Sequence, residues 1–376
     1  MSLLDQRAIA DLRASVRAPL SQARHLPGWY YASPEVYQRE VERIFRRDWL
    51  CVARVEEIER PGDYTTATIV DEPVLLTRDE DGAIHAFANL CQHRGVQLAT
   101  GCGNARRLTC RYHGWTYDLR GRLAGAAFMD QAEGFDRGQI GLKPLRHAEW
   151  AGWIFVNFDD HAPPLETALG DFARDLDFLH FERCRISNKH STVWDCNWKF
   201  ANENLSDPYH FRALHPSFGA RIPLEQYTFD LRPRGGVFVT YDSAPQTPDG
   251  GTPLGPMPWL ADRSPGFSTQ AFLAPHVTVI GRRDEAHIYT TWPEGPDRTR
   301  VFVYHLFPKE HFARNDFAER ARLYHDFIAS VIEEDRSVVP ELQRAARSMN
   351  FRPGRLGWLE AAVHNQQRHN VERLFG

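Results

Sequence analysis

Two cysteine–histidine pairs constrain this chain more than any other feature. Cys91-Gln-His93 and Cys110-Arg-Tyr-His113 are separated by sixteen residues, and one or two residues part each Cys from its His. A thiolate pair suits one iron and an imidazole pair suits another, so the set can hold a [2Fe–2S] centre with different ligands on its two metals. Replacing two thiolates by neutral imidazoles lowers the negative charge around such a centre. Its potential then rises well above that of an all-cysteine ferredoxin. Two Cys and two His also satisfy a tetrahedral zinc. Common zinc fingers, however, group Cys with Cys and His with His, whereas each half here is mixed. Cys102, between the two pairs, reads as a loop residue rather than a third ligand.

At 376 residues the chain is long enough for two domains, each with its own core. A net charge of −4 argues against a nucleic-acid binder, which would carry a concentrated basic surface. No uninterrupted apolar stretch reaches the length of a membrane span, and none is expected. The opening Met1-Ser-Leu-Leu-Asp-Gln-Arg lacks the basic-then-apolar build of a signal peptide. With Cys91 and Cys110 claimed as thiolate ligands, Cys51, Cys102, Cys184 and Cys196 are too few and too scattered for a disulfide framework, so a cytoplasmic location is expected.

Residues 1–48 read as helical. Ser33-Pro34 opens a helix with a capping hydroxyl and Pro at its first position, and Tyr37, Val41, Ile44 and Phe45 follow on one face. From Trp49 to about 160 the pattern changes to short alternating runs. Asp63–Val70, Pro73–Thr77 and Ile84–Ala88 read as strands, with Asp79–Gly82 as a hairpin turn, and Gly152–Asn157 closes this all-β unit. His85 and His147 have no partner at metal spacing. Pro163-Pro164 marks a boundary. Beyond it, Leu165–Phe181 has helical spacing, Thr192–Phe200 reads as a strand, and a helix is expected over 199–214. Further strands are expected near 236–241, 277–280, 287–292 and 301–306. The Pro- and Gly-rich stretch 243–268 is a long loop, and an amphipathic helix covers 316–346.

The second constellation is Glu203-Asn-Leu-Ser-Asp207-Pro-Tyr-His210-Phe-Arg-Ala-Leu-His215-Pro216. Two histidines and a carboxylate from elsewhere make the facial triad of non-haem Fe(II) oxygenases, which leaves neighbouring positions open for O₂. Asp207 and His210 would share a helical face. His210 and His215 would stand about 140° apart on an ideal helix, so the helix must widen or end between them. Pro216 is consistent with an ending there.

The two constellations together resemble the catalytic (alpha) subunits of Rieske non-haem iron aromatic-ring-hydroxylating oxygenases. Cys91-Gln-His93-Arg94-Gly95 and Cys110-Arg-Tyr-His113-Gly114-Trp115 match the Rieske pattern. Asn197-Trp198-Lys199, Glu203-Asn204, Asp207, Tyr209-His210 and His215-Pro216 follow the catalytic signature in order and spacing. The resemblance covers nearly the whole chain and implies an α+β architecture. An N-terminal all-β Rieske [2Fe–2S] domain would span 49–160. A helix-grip catalytic domain, an antiparallel sheet around a long helix, would span 161–376, with the 1–48 segment packed on it.

The same resemblance implies Cys91, His93, Cys110 and His113 as cluster ligands and His210 and His215 as ligands of a mononuclear Fe(II). The third ligand comes from a late helix, eight residues before a Gln or similar group. Glu334-Asp335 and Gln343 fit, and Asp335 is assigned, with Glu333 and Glu334 as competing neighbours. Pro340 would kink or open that helix. Asp207 would bridge to His113 of the partner subunit in a head-to-tail trimer.

Activating O₂ needs electrons delivered singly, and no side chain stores them. Gly101-Cys-Gly103 has Arg106 where a dinucleotide fold needs its third glycine, and no plant-type cysteine run is present. A separate reductase, with or without a ferredoxin, is therefore expected, and a small β subunit is an optional partner. The expected activity is hydroxylation or cis-dihydroxylation of an aromatic compound or aromatic acid. Oxidative demethylation or hydroxylation of a methoxy compound or quaternary amine is the alternative. A Rieske electron carrier without oxygenase chemistry is an alternative of another class. Pocket residues are sought near Phe200, Asn202 and Leu205 and over 277–305. There Tyr289, Trp292 and Phe302 form either a cage or core, and Arg212, Arg282 and Arg283 are candidate carboxylate partners.

Overall fold

The structure is a computed structural model that describes residues 5–376, apart from the side chains of residues 217 and 218. Residues 1–4, which open the stretch read as lacking a signal-peptide build, lie outside the described residues. Two compact units form. One is Phe45–Ala168, and the other joins the segment ending at Ile44 to Leu169–Gly376. Among the described residues no helix is long and apolar enough to cross a membrane.

The Phe45–Ala168 unit is built from ten short strands: β1 (Leu50–Arg54), β2 (Asp63–Ile69), β3 (Glu72–Arg78), β4 (Ile84–Ala88), β5 (Cys102–Asn104), β6 (Arg107–Thr109), β7 (Thr116–Asp118), β8 (Leu123–Gly125), β9 (Arg146–Trp150) and β10 (Trp153–Asn157). They pair antiparallel in three small sheets, ordered β4-β3-β2-β5, β1-β10-β9 and β6-β7-β8. The hairpin between β3 and β4 turns where Asp79 Oδ1 accepts the amides of Asp81 (3.0 Å) and Ala83 (2.9 Å). His85 lies 2.9 Å from the same carboxylate, so it is a structural histidine.

The other unit carries one seven-stranded sheet. Its strands are β11 (Cys184–Trp194), β12 (Thr228–Leu231), β13 (Val237–Asp242), β14 (Phe267–Leu273), β15 (Val277–Arg282), β16 (Ala286–Gly295) and β17 (Arg298–Pro308). They run antiparallel in the order β11-β17-β16-β15-β14-β13-β12. A site helix (Trp198–Ser206), a long helix (Phe317–Ala346) and a C-terminal helix (Ala361–Phe375) accompany the sheet. The long helix continues through Pro340 as a single element.

Several expectations are corrected. The strand expected over Thr192–Phe200 ends at Trp194, because Asn197 caps a helix by accepting the Lys199 amide at 3.1 Å. The stretch 165–181 is not one helix: Gly170, at φ 49°, parts Leu165–Leu169 from Asp171–Leu176. Strands β12 and β14 and the C-terminal helix were not expected. That helix buries Asn365, Gln366, Gln367 and Asn370, which hides its apolar period.

Strand alternation sorts the sheet's side chains. The registers place Ile280, His287 and His305 in one row and Thr278, Tyr289 and Val303 in the next, on the same face. This face meets the helices. Thr291 Oγ1 donates to Asn202 Oδ1 (2.6 Å), Gln270 Nε2 donates to the Leu205 carbonyl, and the His305 ring stands 4.7 Å from that of His325. Trp292 and Phe302, 4.8 Å apart, occupy the opposite face. Tyr289, Trp292 and Phe302 therefore do not form one cage. At the N-terminal end, buried Glu40 accepts from Trp198 Nε1 (2.7 Å) and pairs with buried Lys199, tying the first helices to the site helix.

Candidate active site

In the Phe45–Ala168 unit the two Cys–His segments form twin turns. The Gly95 amide donates to the Cys91 carbonyl (2.9 Å), and the Gly114 amide donates to the Cys110 carbonyl (3.0 Å). Both glycines adopt positive φ, 72° and 73°, which any side chain would strain. The turns bury both thiols, at 2% exposure each, and leave both imidazoles exposed. The rings of His93 and His113 stand 4.5 Å apart, and His93 stacks on Trp115 at 4.8 Å. Both cysteines are free thiols. Tyr117, unremarked in the sequence, braces the first turn: its hydroxyl accepts the Gln92 amide (2.9 Å) and lies 3.4 Å from Cys91 Sγ. Paired thiols inside and paired imidazoles outside fit a two-iron cluster. One zinc would need all four donors to converge on one point. Among the described residues only His210, His215 and Asp335 do that, with their ligand atoms within 4.8 Å of one another.

These three residues come together because the segment after the site helix is broken twice. Asp207, ahead of Pro208, is held extended (φ −102°, ψ 103°) and ends the helix. Asp207 and His210 thus do not share a helical face. The Asp207 carboxylate instead caps the next turn by accepting the Tyr209 amide (2.6 Å), and it lies 3.4 Å from His210 Nδ1. A single helical turn, Phe211–Leu214, then delivers His215. The 140° separation of an ideal helix does not arise.

The long helix brings in Asp335. Its Oδ1 lies 3.3 Å from His210 Nε2 and 3.1 Å from His215 Nε2. Glu334 does something different: its Oε2 lies 2.6 Å from His215 Nδ1, the far nitrogen of that ring. Glu333 points to solvent and pairs with Arg336. Each histidine thus has a carboxylate on Nδ1 and turns Nε2 towards Asp335. This is the arrangement that fixes tautomer and orientation in metal-binding histidines. Burial pushes the His210 pKa down, but the Asp207 and Asp335 carboxylates outweigh it and raise it to about 9. Burial alone would raise the Asp335 pKa, and the two imidazoles bring it below the usual range. Two imidazoles and one carboxylate on one buried point fit a divalent iron. Gln343, eight residues on, accepts the Asn197 amide (2.8 Å) and so joins the long helix to the start of the site helix.

The other sequence candidates are placed elsewhere. Phe200 stacks on Tyr31 at 4.1 Å, and Asn202 donates to the Pro275 carbonyl (2.7 Å). Arg212 pairs with Glu225, Arg283 donates to the Ala261 carbonyl, and Arg282 donates from its two terminal nitrogens to Ser243 and Ala244.

Comparison with known proteins matches both parts of the chain to known families. The family described as "Ring hydroxylating alpha subunit (catalytic domain)" matches residues 181–375, more than half of the chain, and the Rieske [2Fe–2S] domain matches residues 48–136. The carnitine monooxygenase oxygenase subunit of Acinetobacter pittii is 35% identical over 204 residues, which cover 54% of this chain and 55% of that protein. The chloroplastic choline monooxygenase of Beta vulgaris is 27% identical over 92% of this chain and 76% of its own length. The chain thus spans about half the length of the first of these relatives. A quaternary ammonium Rieske monooxygenase in complex with L-carnitine superposes with a TM-score of 0.81 at 25% identity, covering 96% of this chain and 98% of that one. Naphthalene 1,2-dioxygenase from Rhodococcus sp. reaches 0.82 at 21% identity over 99% of both chains, which shows a shared fold. The chain belongs to the ring-hydroxylating oxygenase alpha-subunit family, with a Rieske [2Fe–2S] domain and a catalytic domain of the kind that binds a mononuclear iron.

Proposed function

We propose that this protein is the terminal oxygenase of a multicomponent Rieske non-haem iron system. The observation that carries the reading is the convergence of His210, His215 and Asp335 on one point, in a chain that also holds the Cys91, His93, Cys110, His113 turns. An electron carrier has no use for a second site of that kind. The four turn residues would hold the cluster, and the three convergent residues would hold Fe(II). When bound, these groups store single electrons and leave positions open to O₂ beside the substrate.

The chain's own residues orient that chemistry. Asp207 accepts from His210 Nδ1 and keeps the imidazole turned towards Asp335, and Glu334 does the same for His215. Asp207 keeps part of its carboxylate accessible, beside the exposed Tyr209. On the Rieske unit, exposed Tyr112 lies 3.7 Å from the His113 ring, with Arg94 over it. These two surfaces support a head-to-tail homotrimer in which Asp207 also accepts from His113 of the partner subunit. A reductase, with or without a ferredoxin, would supply electrons, and a small β subunit is an optional member. Six free cysteines support a reducing cytoplasm.

For the substrate, the names of the relatives favour a quaternary amine, oxidised by a monooxygenase reaction. The second reading, dioxygenation of an aromatic compound, is supported by biphenyl dioxygenase subunit alpha of Paraburkholderia xenovorans, 37% identical over 195 residues. The deciding experiment is a single turnover of the pre-reduced, iron-replete protein in ¹⁸O₂ with quaternary amines, methoxy-aromatics and aromatic acids. One labelled atom, or formaldehyde release, identifies a monooxygenase or demethylase. Two labelled atoms identify a dioxygenase. Failure of the mononuclear site to bind iron would return the electron-carrier reading.

A further inference from the structure

The Rieske unit carries an excess of positive charge beside its ligand turns. Residues 91–122 hold six arginines and one acid, Asp118, in a chain whose net charge is −4. Two of the six are neutralised. Arg122 Nε lies 2.8 Å from Asp118, and Arg120 pairs with Asp79 at 3.0 Å and with Asp81. Arg94 lies over the exposed ring of Tyr112. Arg106, Arg107 and Arg111 are exposed, and among the described residues none of them has a carboxylate partner.

Strand register sets these charges close to the thiols. Across β6 and β7, Arg107 faces Asp118, Leu108 faces Tyr117 and Thr109 faces Thr116. Alternation sends Leu108 and Tyr117 inward, where they pack with Cys91, Cys110 and Trp115. Arg107, Thr109 and Thr116 are left on the outer face, where the two threonine hydroxyls meet at 3.0 Å. Arg111 follows Cys110 in the second ligand turn. Arg106 precedes the strand and, with Arg107, lines a cleft of about 530 Å³ against the turn between β3 and β4. Glu80 is the one carboxylate of that cleft outside the ion pairs above. Only the thickness of one strand parts this outer face from Cys91 Sγ, which Tyr117 Oη reaches at 3.4 Å from the inner side.

Unpaired charge of one sign on an exposed face attracts a surface of the other sign and speeds its approach. On the oxygenase reading, electrons arrive singly from a separate protein that must come close to the ligand turns. The Tyr112 and Arg94 side is taken, on that reading, by the partner subunit's Asp207. The outer face of β6 and β7 is exposed beside it, and its free guanidinium groups match carboxylates.

We propose that Arg106, Arg107 and Arg111 form the docking surface of the electron donor, and that this donor is an acidic iron–sulfur protein. In each encounter the donor's reduced centre loses one electron and the Rieske centre gains it. A plant-type [2Fe–2S] centre has the lower potential of the two, so the transfer runs downhill. The inference rests on the oxygenase reading for the need of a donor, while the transfer itself is measured without turnover. Stopped-flow mixing of the cluster-loaded protein with a reduced plant-type ferredoxin, an acidic protein, follows the Rieske absorption. The wild-type rate constant should fall at least about tenfold between about 20 mM and about 500 mM NaCl. At the lower salt Arg107→Glu should be at least about fivefold slower. Arg106→Glu, Arg107→Glu and Arg111→Glu together should be at least about thirtyfold slower, and all should converge within about threefold at the higher salt. Photoreduced 5-deazariboflavin, a small uncharged reductant, should reduce every variant at the wild-type rate. Arg322→Glu, an exposed reversal on the long helix, should match the wild type with both reductants.

No reduction by the ferredoxin, a wild-type rate indifferent to salt, or a triple variant as fast as the wild type would overturn the proposal. Equal slowing by Arg322→Glu would also overturn it, since overall charge would then explain the effect. A triple variant that keeps its rate but loses its oligomeric mass in light scattering would assign the face to a second copy of the chain instead. The wild-type salt dependence stands even if a variant fails to fold. Salt-dependent reduction of a protein that turns nothing over in ¹⁸O₂ would sink the oxygenase reading and leave the docking surface. Turnover with salt-indifferent reduction would do the reverse.

Discussion

The Cys91–His113 turns and the His210–His215–Asp335 cluster are both sets of metal-type ligands, yet they are held in different ways. In the Rieske unit four ligands come from two short turns, each closed by two backbone hydrogen bonds and one glycine at positive φ. The thiols are buried, and the imidazoles face solvent. In the catalytic unit the third ligand stands over a hundred residues from the other two, on another helix. Those ligands are mostly buried, and each histidine is steadied by a carboxylate on its far nitrogen. Turn geometry maintains the first site. The second depends on tertiary packing and buried charge, so it should be the more sensitive to changes at a distance.

The strongest way to break this comparison is to empty each site in turn. Asp335→Ala should lose the mononuclear iron and lower turnover by at least about a thousandfold while the cluster's visible spectrum is unchanged. Cys110→Ser should remove that spectrum and the reduced-state EPR signal while the catalytic unit still binds iron. Loss of both metals in either variant would show the sites to be coupled in folding. Asp207→Asn should keep both metals, with turnover down about a hundredfold or more, since only the orienting carboxylate is lost. Iron loss in that variant would make Asp207 a ligand.

Glu334→Gln should be milder, weakening iron affinity by about 10–100-fold in a competitive chelator titration. An unchanged affinity would reduce the Glu334–His215 pair to a surface contact.

The last test addresses buried charge in the catalytic unit alone. Burial raises the Asp284 pKa to about 6, where its carboxylate accepts from Tyr324 Oη at 2.7 Å. The folded form therefore holds this proton more tightly than the unfolded chain does. Stability from this group is intact below about pH 4, is lost as pH rises towards 6, and stays lost above it. Asp284→Asn should stabilise the protein at pH 7 by on the order of 2–3 kcal/mol, with the difference vanishing near pH 4. Melting curves across that range check it. A difference independent of pH would place the carboxylate's proton elsewhere.

The two regions also differ in how far they could be read without a structure. The Rieske ligands were legible because turns of this kind are local: Cys, His and a following Gly within five residues carry their own geometry. The same holds for Ser33-Pro34, whose hydroxyl accepts the Val36 amide at 3.4 Å. Locality failed around Asp207. Pro208 was visible, but the break it imposes one residue earlier only becomes evident once Asp207 caps the next turn. β14 and the C-terminal helix were missed for another reason. Gln270, Asn365 and Gln366 are polar and buried, so their partners lie on distant segments and no apolar period marks them.

By itself the sequence determined the ligand types, the two chemistries they suit, and the family with its order of domains. These follow from residue identity and short spacing, which tertiary packing cannot alter. Only the tertiary structure decided how the acids divide: Asp335 meets both Nε2 atoms, Glu334 meets the far nitrogen of His215, and Glu333 pairs with Arg336. It also decided that Tyr289 and Trp292 face opposite ways. Each of these depends on helix phase or strand register relative to a segment far along the chain. Those quantities are set by packing against a partner surface, and no local pattern encodes them.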